Sequence, residues 1–353
     1  MYVKYKYESV AELIRENIRK GGYPGGELPG EALLGKEFGV GKITVYHALK
    51  LLAEEGLIDR VKKRGTFVKG VSGQPVSVSS QVAMVMRHTG HYFGRLAAHI
   101  RAHLLEHSLL GLPADIGDDE SRKSRESLFT LLGSKIYGVV FDGDAYFKFP
   151  FMNNFPRVRS VLLQHFDASG KIPDCAVLTD FEEAAYLATS HLAARGRKRI
   201  VLCTHKPENF PIADEAHARR HPGTLLGQGY HRAMAEAGLG EGERVFLPIA
   251  EPGDTIRGLL SRRQRPDAIV CNSDTWAVRV VSACQELGLK VPEDLAVTGM
   301  YNTPWCNECP VRLTSVSFEE KEIARLAVEL LTARNPVEKV VTVKPRLIVR
   351  ESS

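Results

Sequence analysis

Apolar residues recur at helical spacing in three segments of the first 70 residues. Ser9 is a candidate cap of the first helix, which we expect to end at Gly21, and Phe38 marks a short second helix. The third helix follows a tight turn at Gly39 and presents one apolar face, made of Val45, Ala48, Leu49 and Leu52. Two apolar runs then flank the basic segment 62–65, which predicts a β-hairpin. This order of elements predicts a winged helix-turn-helix domain.

Strand and helix patterns alternate beyond residue 80. The predicted strands are 82–86, 137–141, 160–163, 200–203, 245–249, 268–271 and 295–298. The predicted helices are 94–110, 182–195, 230–237, 276–287 and 319–331. Repeated strand–helix units predict parallel sheets covered by helices on both faces, and the length suits two such sheets. Ligands of open α/β folds bind beyond the carboxyl ends of the strands, so two facing sheets would enclose a small-molecule cleft.

A small and polar segment separates the two patterns. Residues 71–80 contain four serines, one glycine and one proline and show no helical apolar period, which is typical of a linker. We therefore predict a DNA-binding domain at 1–70, a linker at 71–80 and a two-lobed sensing and dimerisation domain at 81–353. The first 70 residues carry 13 Lys and Arg against 9 Asp and Glu, so they hold most of the chain's net charge of +5. A basic domain on a nearly neutral body favours a polyanionic partner.

Composition narrows the class of protein. The 353 residues are 44% hydrophobic and 25% charged, as in a folded globular protein rather than a disordered chain. There is no apolar stretch long enough to cross a membrane and no secretory signal, so we expect a cytoplasmic protein without a membrane partner. Cys306 and Cys309 form a lone C-x2-C pair without a second pair at metal-binding spacing. We therefore expect no metal and no cofactor, while a redox or metal role for this pair stays open.

Polar side chains cover the other face of the third helix. Lys42, Thr44, Tyr46 and His47 point away from the apolar face, as a helix in the major groove requires. Lys62, Lys63 and Arg64 lie at the predicted hairpin tip and suit phosphate or minor-groove contacts. The alternative is a solvated helix face with a charged hairpin. The charge excess of this domain favours DNA binding.

The same segment resembles the gluconate-repressor (GntR) family of DNA-binding domains. The resemblance covers about residues 5–69 and is carried by the segments 28–31, 38–45, 48–58 and 64–68. It implies that Lys42, Thr44 and Tyr46 occupy DNA-reading positions and that Arg64, Gly65 and Thr66 form the wing. The chain departs from the family pattern at Ala32 and Tyr46, where arginine is common, and at Gly41, where serine is common.

The second part of the chain resembles the sensor domain of the lactose/galactose-repressor (LacI) family. The resemblance is strongest over 177–351, for instance in Pro266–Asp274 and 291–297, and weaker over 81–176. It implies a periplasmic-binding-protein-like type I fold, in which three crossovers link two doubly wound parallel-sheet subdomains. Leu226 stands where the family carries an effector-binding arginine. Either an arginine from the loop 205–223, such as Arg219 or Arg220, replaces it, or the effector needs no arginine.

Nine side chains near the carboxyl ends of predicted strands are candidate effector contacts. They are His91, Tyr92, Phe93, Asp142, Gln164, His205, Asp274, Trp276 and Asn302. A carboxylate such as that of Asp274 accepts hydrogen bonds from sugar hydroxyls, and the alternative role of Asp274 is a helix cap. The aromatic residues suit stacking on a sugar ring, although Trp276 is equally typical of a core position.

These features together predict a transcription regulator, most simply a repressor, and not an enzyme. Its expected partners are double-stranded operator DNA, a small sugar effector such as a pentose, and a second copy of the chain. A GntR-type head on a LacI-type sensor is the architecture of arabinose-responsive repressors. The alternatives are a sugar-processing enzyme and a carbohydrate-binding protein without a regulatory role. The chain lacks the G-x-G-x-x-G, P-loop and G-x-S-x-G motifs that would favour an enzyme.

Overall fold

A computed structural model describes most of the chain. The described residues are 6–19, 23, 27–61, 65–68, 80–86, 91–114, 130–131, 136–143, 158–164, 175–205, 221–248, 252–333 and 339–353. Apart from two short stretches later in the chain, a first compact unit extends to Ser79 and a second begins at Ser80. We call these units the head and the body. The predicted linker lies outside the described residues except for Ser80, so the domain bounds stay a prediction.

The head has the winged helix-turn-helix arrangement that the sequence predicts. Its elements are α1 (Lys6–Arg19), β1 (Glu27–Leu28), α2 (Glu31–Glu37), α3 (Lys42–Glu54), β2 (Ile58–Val61) and β3 (Gly65–Val68). The four apolar residues of α3 are buried, as predicted, and pack with Ile14, Leu34 and Ile58 in one core. The first helix begins before Ser9, so the expected cap at that residue is wrong: Ser9 lies inside α1. The short strand β1 gives the hairpin a third strand that the sequence analysis missed.

The body contains two lobes. Its elements are β4 (Gln81–Val85), α4 (His91–Glu106), β5 (Leu110–Pro113), β6 (Gly138–Asp142), β7 (Arg159–Gln164), β8 (Cys175–Thr179), α5 (Phe181–Ala194), β9 (Ile200–Thr204), α6 (Pro222–Glu236), β10 (Glu243–Phe246), α7 (Gly253–Leu260), β11 (Ala268–Cys271), α8 (Asp274–Glu286), β12 (Ala296–Met300), α9 (Trp305–Glu308), β13 (Thr314–Ser317), α10 (Glu320–Thr332), β14 (Lys339–Val343) and β15 (Arg346–Ile348). The described strands form two six-stranded sheets. Both sheets are parallel except for β15 at the edge of the second, which confirms the predicted α/β class.

The first lobe holds the sheet β14-β8-β7-β6-β4-β5, and the second holds β10-β9-β11-β12-β13-β15. In the second lobe, alternate residues of each strand enter different cores. Leu202 and Val270 face the core shared with α5 and α6, whereas Cys203 and Ile269 face the core shared with α7 and α8. Helices therefore cover both faces of this sheet, as its continuous apolar strands require.

The chain crosses between the lobes after β8, after β13 and after β14. These three connections agree with the subdomain arrangement that the family resemblance implies. Phe181 stands at the first crossover and Phe318 at the second, and their rings lie 5.2 Å apart, centroid to centroid. The first two crossovers therefore meet in one aromatic cluster.

Several boundaries differ from the sequence prediction. The helix α4 begins at His91, so His91, Tyr92 and Phe93 form its first turn instead of preceding it. It also ends at Glu106, before the predicted end at Leu110, because the chain turns at Ser108 and Leu110 begins β5. Short or edge strands such as β13 and β14 were missed. They offer too few residues for a clear alternating pattern.

No helix in the described part of the chain is both long and apolar enough to cross a membrane.

The helices α5 and α6 approach each other very closely at Gly229. A Cβ atom on Gly229 would lie 1.8 Å from the carbonyl oxygen of Glu182, so only glycine fits there. The tyrosine hydroxyl of Tyr186 donates to Glu236 across the same contact, and Arg232 pairs with Glu182. This contact fixes the helix pair on one face of the second sheet.

We expect Gly229→Ala to destabilise the fold by about 1–3 kcal/mol, because the backbone must separate to admit the methyl group. Urea unfolding followed by circular dichroism measures the change. The matched control is Gly258→Ala within α7, where an added Cβ meets nothing within 4 Å. That variant should gain up to about 1 kcal/mol from helix propensity. Equal stability of the two variants would contradict the close approach.

Candidate functional site

The exposed face of α3 carries the predicted DNA-reading residues. Lys42, Tyr46 and His47 are exposed and Thr44 is half-buried. The helix begins directly after Gly41, whose backbone is extended, so Lys42 lies in the first turn, where base contacts of such helices concentrate. Ile43 is 75% exposed beside them, a large apolar side chain that the sequence analysis did not select. Its position suits contact with a thymine methyl group.

The predicted wing is a regular hairpin. Residues 58–61 pair antiparallel with 65–68, with Val61 opposite Gly65. Lys62, Lys63 and Arg64 lie outside the described residues, between these strands. Gly65 is exposed and Thr66 is half-buried opposite Arg60. The place of these three basic residues at the tip of the hairpin therefore stays a prediction.

Arg60 joins the hairpin to both helices of the motif. Its Nη2 atom donates to Glu31 Oε1 at 2.5 Å. The guanidinium carbon lies 4.8 Å from the centroid of the Tyr46 ring, which is within the range of a cation–π contact. Arg60 was not among the predicted contacts, because in the sequence it is only a polar residue in a short strand.

Polar side chains line the carboxyl end of the first sheet. Asp142 ends β6 and Gln164 ends the adjacent β7, and both are buried. The hydroxyl of Tyr92 faces Gln164, which opposes the rise in the pKa of Tyr92 caused by burial. Tyr92 packs against Tyr301 of the second lobe with ring centroids 4.8 Å apart. The predicted residues Tyr92, Asp142 and Gln164 are thus brought together, whereas His91 is exposed and lies against Trp305.

Asp274 is buried at the carboxyl end of the second sheet, with 1% of its surface exposed. Its Oδ2 atom accepts hydrogen bonds from the backbone N–H of Thr303 at 2.7 Å and from the hydroxyl of Thr303 at 2.8 Å. Its Oδ1 atom accepts from Ser315 Oγ at 2.6 Å. Burial raises the pKa of Asp274, and these hydrogen bonds oppose the rise. The cap of α8 is Ser273, so the alternative role of Asp274 as a helix cap is not the one that it has.

Asn302 lies at the same edge and is linked to both lobes. Its backbone N–H donates to Ser315, and its side-chain oxygen accepts from Arg350 at 2.7 Å. Arg95 of the first lobe donates to the carbonyl oxygens of Asn302 and Tyr301 at 3.0 and 3.2 Å. Arg95 also pairs with Glu320 at 2.9 Å. The carboxyl ends of the two sheets therefore face each other and are joined by one arginine.

His205 and Trp276 form a pair within the second lobe. Their ring centroids lie 4.0 Å apart, and Trp276 is only 6% exposed within the core that includes Cys203 and Val280. Burial lowers the pKa of His205 to about 4. Trp276 thus has the core environment that was one of its two expected roles, with His205 at its outer edge.

The position of the missing arginine is filled by core packing. Leu226 is 3% exposed within α6 and contributes to the main hydrophobic cluster. Arg219 and Arg220 lie outside the described residues. His221 caps α6 by accepting a hydrogen bond from the N–H of Gly223 at Nδ1.

Both cysteines of the C-x2-C pair are free thiols. Burial raises the pKa of Cys306 to about 12 and also raises the pKa of Cys309. Within the described ranges, no three His, Cys, Asp or Glu side chains are grouped closely enough to hold a metal ion.

Comparison with known protein families gives two matches. Residues 6–68 match the family of bacterial regulatory proteins named the gntR family, and residues 189–353 match the periplasmic binding protein-like domain. These matches confirm both resemblances inferred from the sequence.

Several curated proteins are similar to the chain. It is 22% identical over 370 aligned positions to the arabinose metabolism transcriptional repressor of Geobacillus stearothermophilus, covering 100% of this chain and 97% of that protein. It is 29% identical to the HTH-type transcriptional repressor CytR of Escherichia coli (strain K12), covering 68% of each. It is also 29% identical to catabolite control protein A of Priestia megaterium, covering 61% of this chain and 63% of that protein.

Solved structures show the same fold. The transcriptional regulator CelR in complex with cellobiose gives a TM-score of 0.64 at 19% identity, covering 92% of this chain and all of that chain. The transcription regulator CcpA of Lactococcus lactis gives a TM-score of 0.62 at 22% identity, covering 78% of this chain and 99% of that chain.

The pKa of His205 predicts a stability change with pH. Because the folded-state pKa lies below the ordinary value of 6.5, the unfolded chain binds more protons between about pH 4 and pH 6.5. The free energy of unfolding is therefore highest above pH 6.5 and decreases as the pH falls through this window. After allowance for partial exposure, we expect a loss of about 1–2 kcal/mol, which His205→Gln should remove. Unfolding by urea at pH 4.5 and pH 7.5 measures it, and equal pH dependence in both proteins would contradict the assignment.

The arabinose metabolism repressor and CytR are named transcriptional repressors, and CelR and CcpA are named transcription regulators, which agrees with the sequence prediction of a regulator rather than an enzyme. The fold and the exposed polar face of α3 agree with the same activity. The chain joins a DNA-binding domain of the gntR family at residues 6–68 to a periplasmic binding protein-like domain at residues 189–353, and it is a DNA-binding transcription regulator.

Proposed function

We propose that this regulator is a cytoplasmic repressor whose affinity for a two-fold operator is controlled by a small sugar. The proposal rests on two features that occur in the same chain. The helix α3 has one buried apolar face and one exposed polar face. The two sheets of the body face each other at their carboxyl ends, which carry polar side chains. The first feature suits DNA and the second suits a small polar ligand.

The head supports DNA binding through α3 and the hairpin. Lys42 and Tyr46 lie one turn apart on the exposed face of α3, which suits entry into the major groove. The basic residues 62–64 come between the two strands in the sequence, and their charge suits contacts with phosphate or with the minor groove. Thr44, His47, Gly65 and Thr66 complete the proposed interface.

The body supports a sugar effector through side chains from both lobes. Asp142 and Gln164 supply acceptors and donors from the first sheet, and Asp274 and Asn302 supply them from the second. The rings of Tyr92, Phe93 and His205, with His91 at the edge, suit the apolar face of a sugar, and Trp276 supports His205 from the core. A pentose is the first candidate, because the similar protein that aligns along the whole chain is named an arabinose metabolism repressor.

A second copy of the chain is the proposed partner of the body. The strand β5 is an edge strand of the first sheet, and its residues Leu110 and Leu112 are exposed, as is Leu105 of α4. An edge strand with exposed leucines is a surface that proteins normally cover. A dimer formed there would place two heads on a two-fold operator.

The coupling mechanism follows from the two lobes. A sugar bound to residues of both lobes stabilises one lobe arrangement, and the crossovers allow that change as a hinge motion. The proposed dimer transmits the change to the spacing of the heads. Effector and operator then alter each other's affinity by the same factor, typically equivalent to about 1–3 kcal/mol.

The double variant Lys42→Ala with Arg64→Ala should weaken binding to duplex DNA and flatten its salt dependence. Removing one contact with a phosphate group should lower the slope of log affinity against log salt by about one. Fluorescence anisotropy at several salt concentrations measures the slope. The matched control, Arg262→Ala with Arg312→Ala, removes two exposed arginines from the body and should leave the slope unchanged. An unchanged slope in the head variant would contradict the proposed DNA face.

A thermal-shift screen with L-arabinose, D-xylose and D-ribose tests the effector site. A sugar at about 100 times its dissociation constant should stabilise the protein by about 2.7 kcal/mol. Asp274→Asn and Asp142→Asn should each reduce this increment, measured against the melting temperature of the same variant without sugar. The control is Asp254→Asn, an exposed carboxylate on α7. A full increment in both cleft variants would place the sugar site elsewhere.

A further inference from the structure

Arg60 leaves β2 on the side of the sheet that faces the helices. Side chains alternate along a strand, and Ile58, two residues earlier, is buried in the core of the head. Val68 and Thr66 lie opposite Ile58 and Arg60 in β3, so these four side chains share one face. Arg60 is therefore directed from the hairpin toward α2 and α3.

The guanidinium of Arg60 is held on two sides. Glu31, the first residue of α2, accepts from Nη2 at 2.5 Å. Tyr46, on the exposed face of α3, lies with its ring centroid 4.8 Å from the guanidinium carbon. One side chain thus contacts both helices of the helix-turn-helix motif from the wing.

This arrangement is poorly explained as a stabilising ion pair. The side chains of Arg60 and Glu31 are 31% and 21% exposed, and pairs that solvent reaches contribute little to stability. A guanidinium has five N–H donors, and the hydrogen bond to Glu31 engages one nitrogen. Tyr46 is 44% exposed and lies one helical turn from Lys42, so the guanidinium lies at the edge of the proposed DNA face.

We infer that Arg60 is a specificity-determining DNA contact, whose guanidinium donates to the O6 and N7 atoms of a guanine in the major groove. Glu31 fixes its orientation and the ring of Tyr46 supports it. Bidentate contact with guanine needs the planar fork of N–H donors that a guanidinium has, held in one orientation. Glu31 and Tyr46 hold the Arg60 guanidinium in one orientation. Positions 32 and 46 of the chain carry alanine and tyrosine, so neither supplies a guanidinium to this surface. The inference rests on the proposed DNA-binding face.

The test compares sequence preference in matched variants. Selection from a random duplex library with the wild-type protein gives its preferred sequence, and anisotropy then gives the affinity for each single-base change. Arg60→Lys keeps the charge and the pairing with Glu31 but loses the fork. We expect it to keep the salt dependence and to lose at least about fivefold of discrimination at one G·C pair. Tyr46→Leu should relax the same base pair, because it removes the support.

Arg15→Ala is the control. Arg15 is also paired through Nη2, with Glu55, at the other end of α3 and about 20 Å along the helix from Lys42. This variant should leave the discrimination at every base pair unchanged. Circular dichroism melting checks that each variant is folded. A further variant, Arg60→Ala, removes the whole side chain; if it does not fold, Arg60→Lys still tests the loss of base discrimination.

Two results would overturn the inference. A weakening by Arg60→Ala that is equal for all sequences, with the salt slope lower by about one, would make Arg60 a phosphate contact. Unchanged discrimination in Arg60→Lys and Tyr46→Leu would make the arrangement structural. In both cases the wild-type protein still binds DNA with salt dependence, so the proposed function stands. Absence of salt-dependent binding by the wild type would instead overturn the proposed function and this inference together.

Discussion

The carboxylate of Asp274 is the buried charge around which the second lobe is organised. A buried carboxylate requires donors, and Thr303 and Ser315 supply them from the segment after β12 and from β13. Gly299 makes the arrangement possible, because a Cβ there would lie 2.2 Å from Oδ1 of Asp274. Ser315 Oγ also accepts a hydrogen bond from the backbone N–H of Asn302, which holds Asn302 at the same edge of the sheet. A ligand that contacts this carboxylate therefore acts on three elements of the lobe at once.

The head follows a different constraint, which is that a single helix must serve two surfaces. Val45, Ala48 and Leu49 bury one side of α3, so the other side is available to a partner at no cost in core packing. The two-stranded hairpin packs beside this helix and supplies Arg60 to its exposed side. The proposed DNA-contact surface is therefore composite, because Tyr46 comes from a helix and Arg60 from a strand about 14 residues further along the chain.

The sequence was sufficient for the fold class, the family resemblances and the buried face of α3, because long periodic segments and local motifs carry this information. It was insufficient for β13, β14 and the start of α4, where short segments give no clear period. For the site, the rule that ligands bind beyond the carboxyl ends of strands correctly predicted that Asp142, Gln164 and Tyr92 lie at one edge of the first sheet. It did not reveal Arg60 or Arg95, whose neighbours come from distant parts of the chain. It also did not show that the donors of Thr303 and Ser315 already satisfy Asp274.

The aromatic cluster at the crossovers bears on how the two lobes can move. Tyr92, Tyr301, Phe181 and Phe318 meet with ring centroids between 4.8 and 6.3 Å apart and tilted planes. Dispersion between rings has no fixed direction, unlike a hydrogen bond, so the rings can change their tilt and remain in contact. A rotation of one lobe against the other would then pivot on this aromatic cluster, whose interaction energy varies smoothly with the angle of rotation. Abrupt changes in energy during such a rotation would come from directional hydrogen bonds between the lobes, such as those that Arg95 donates.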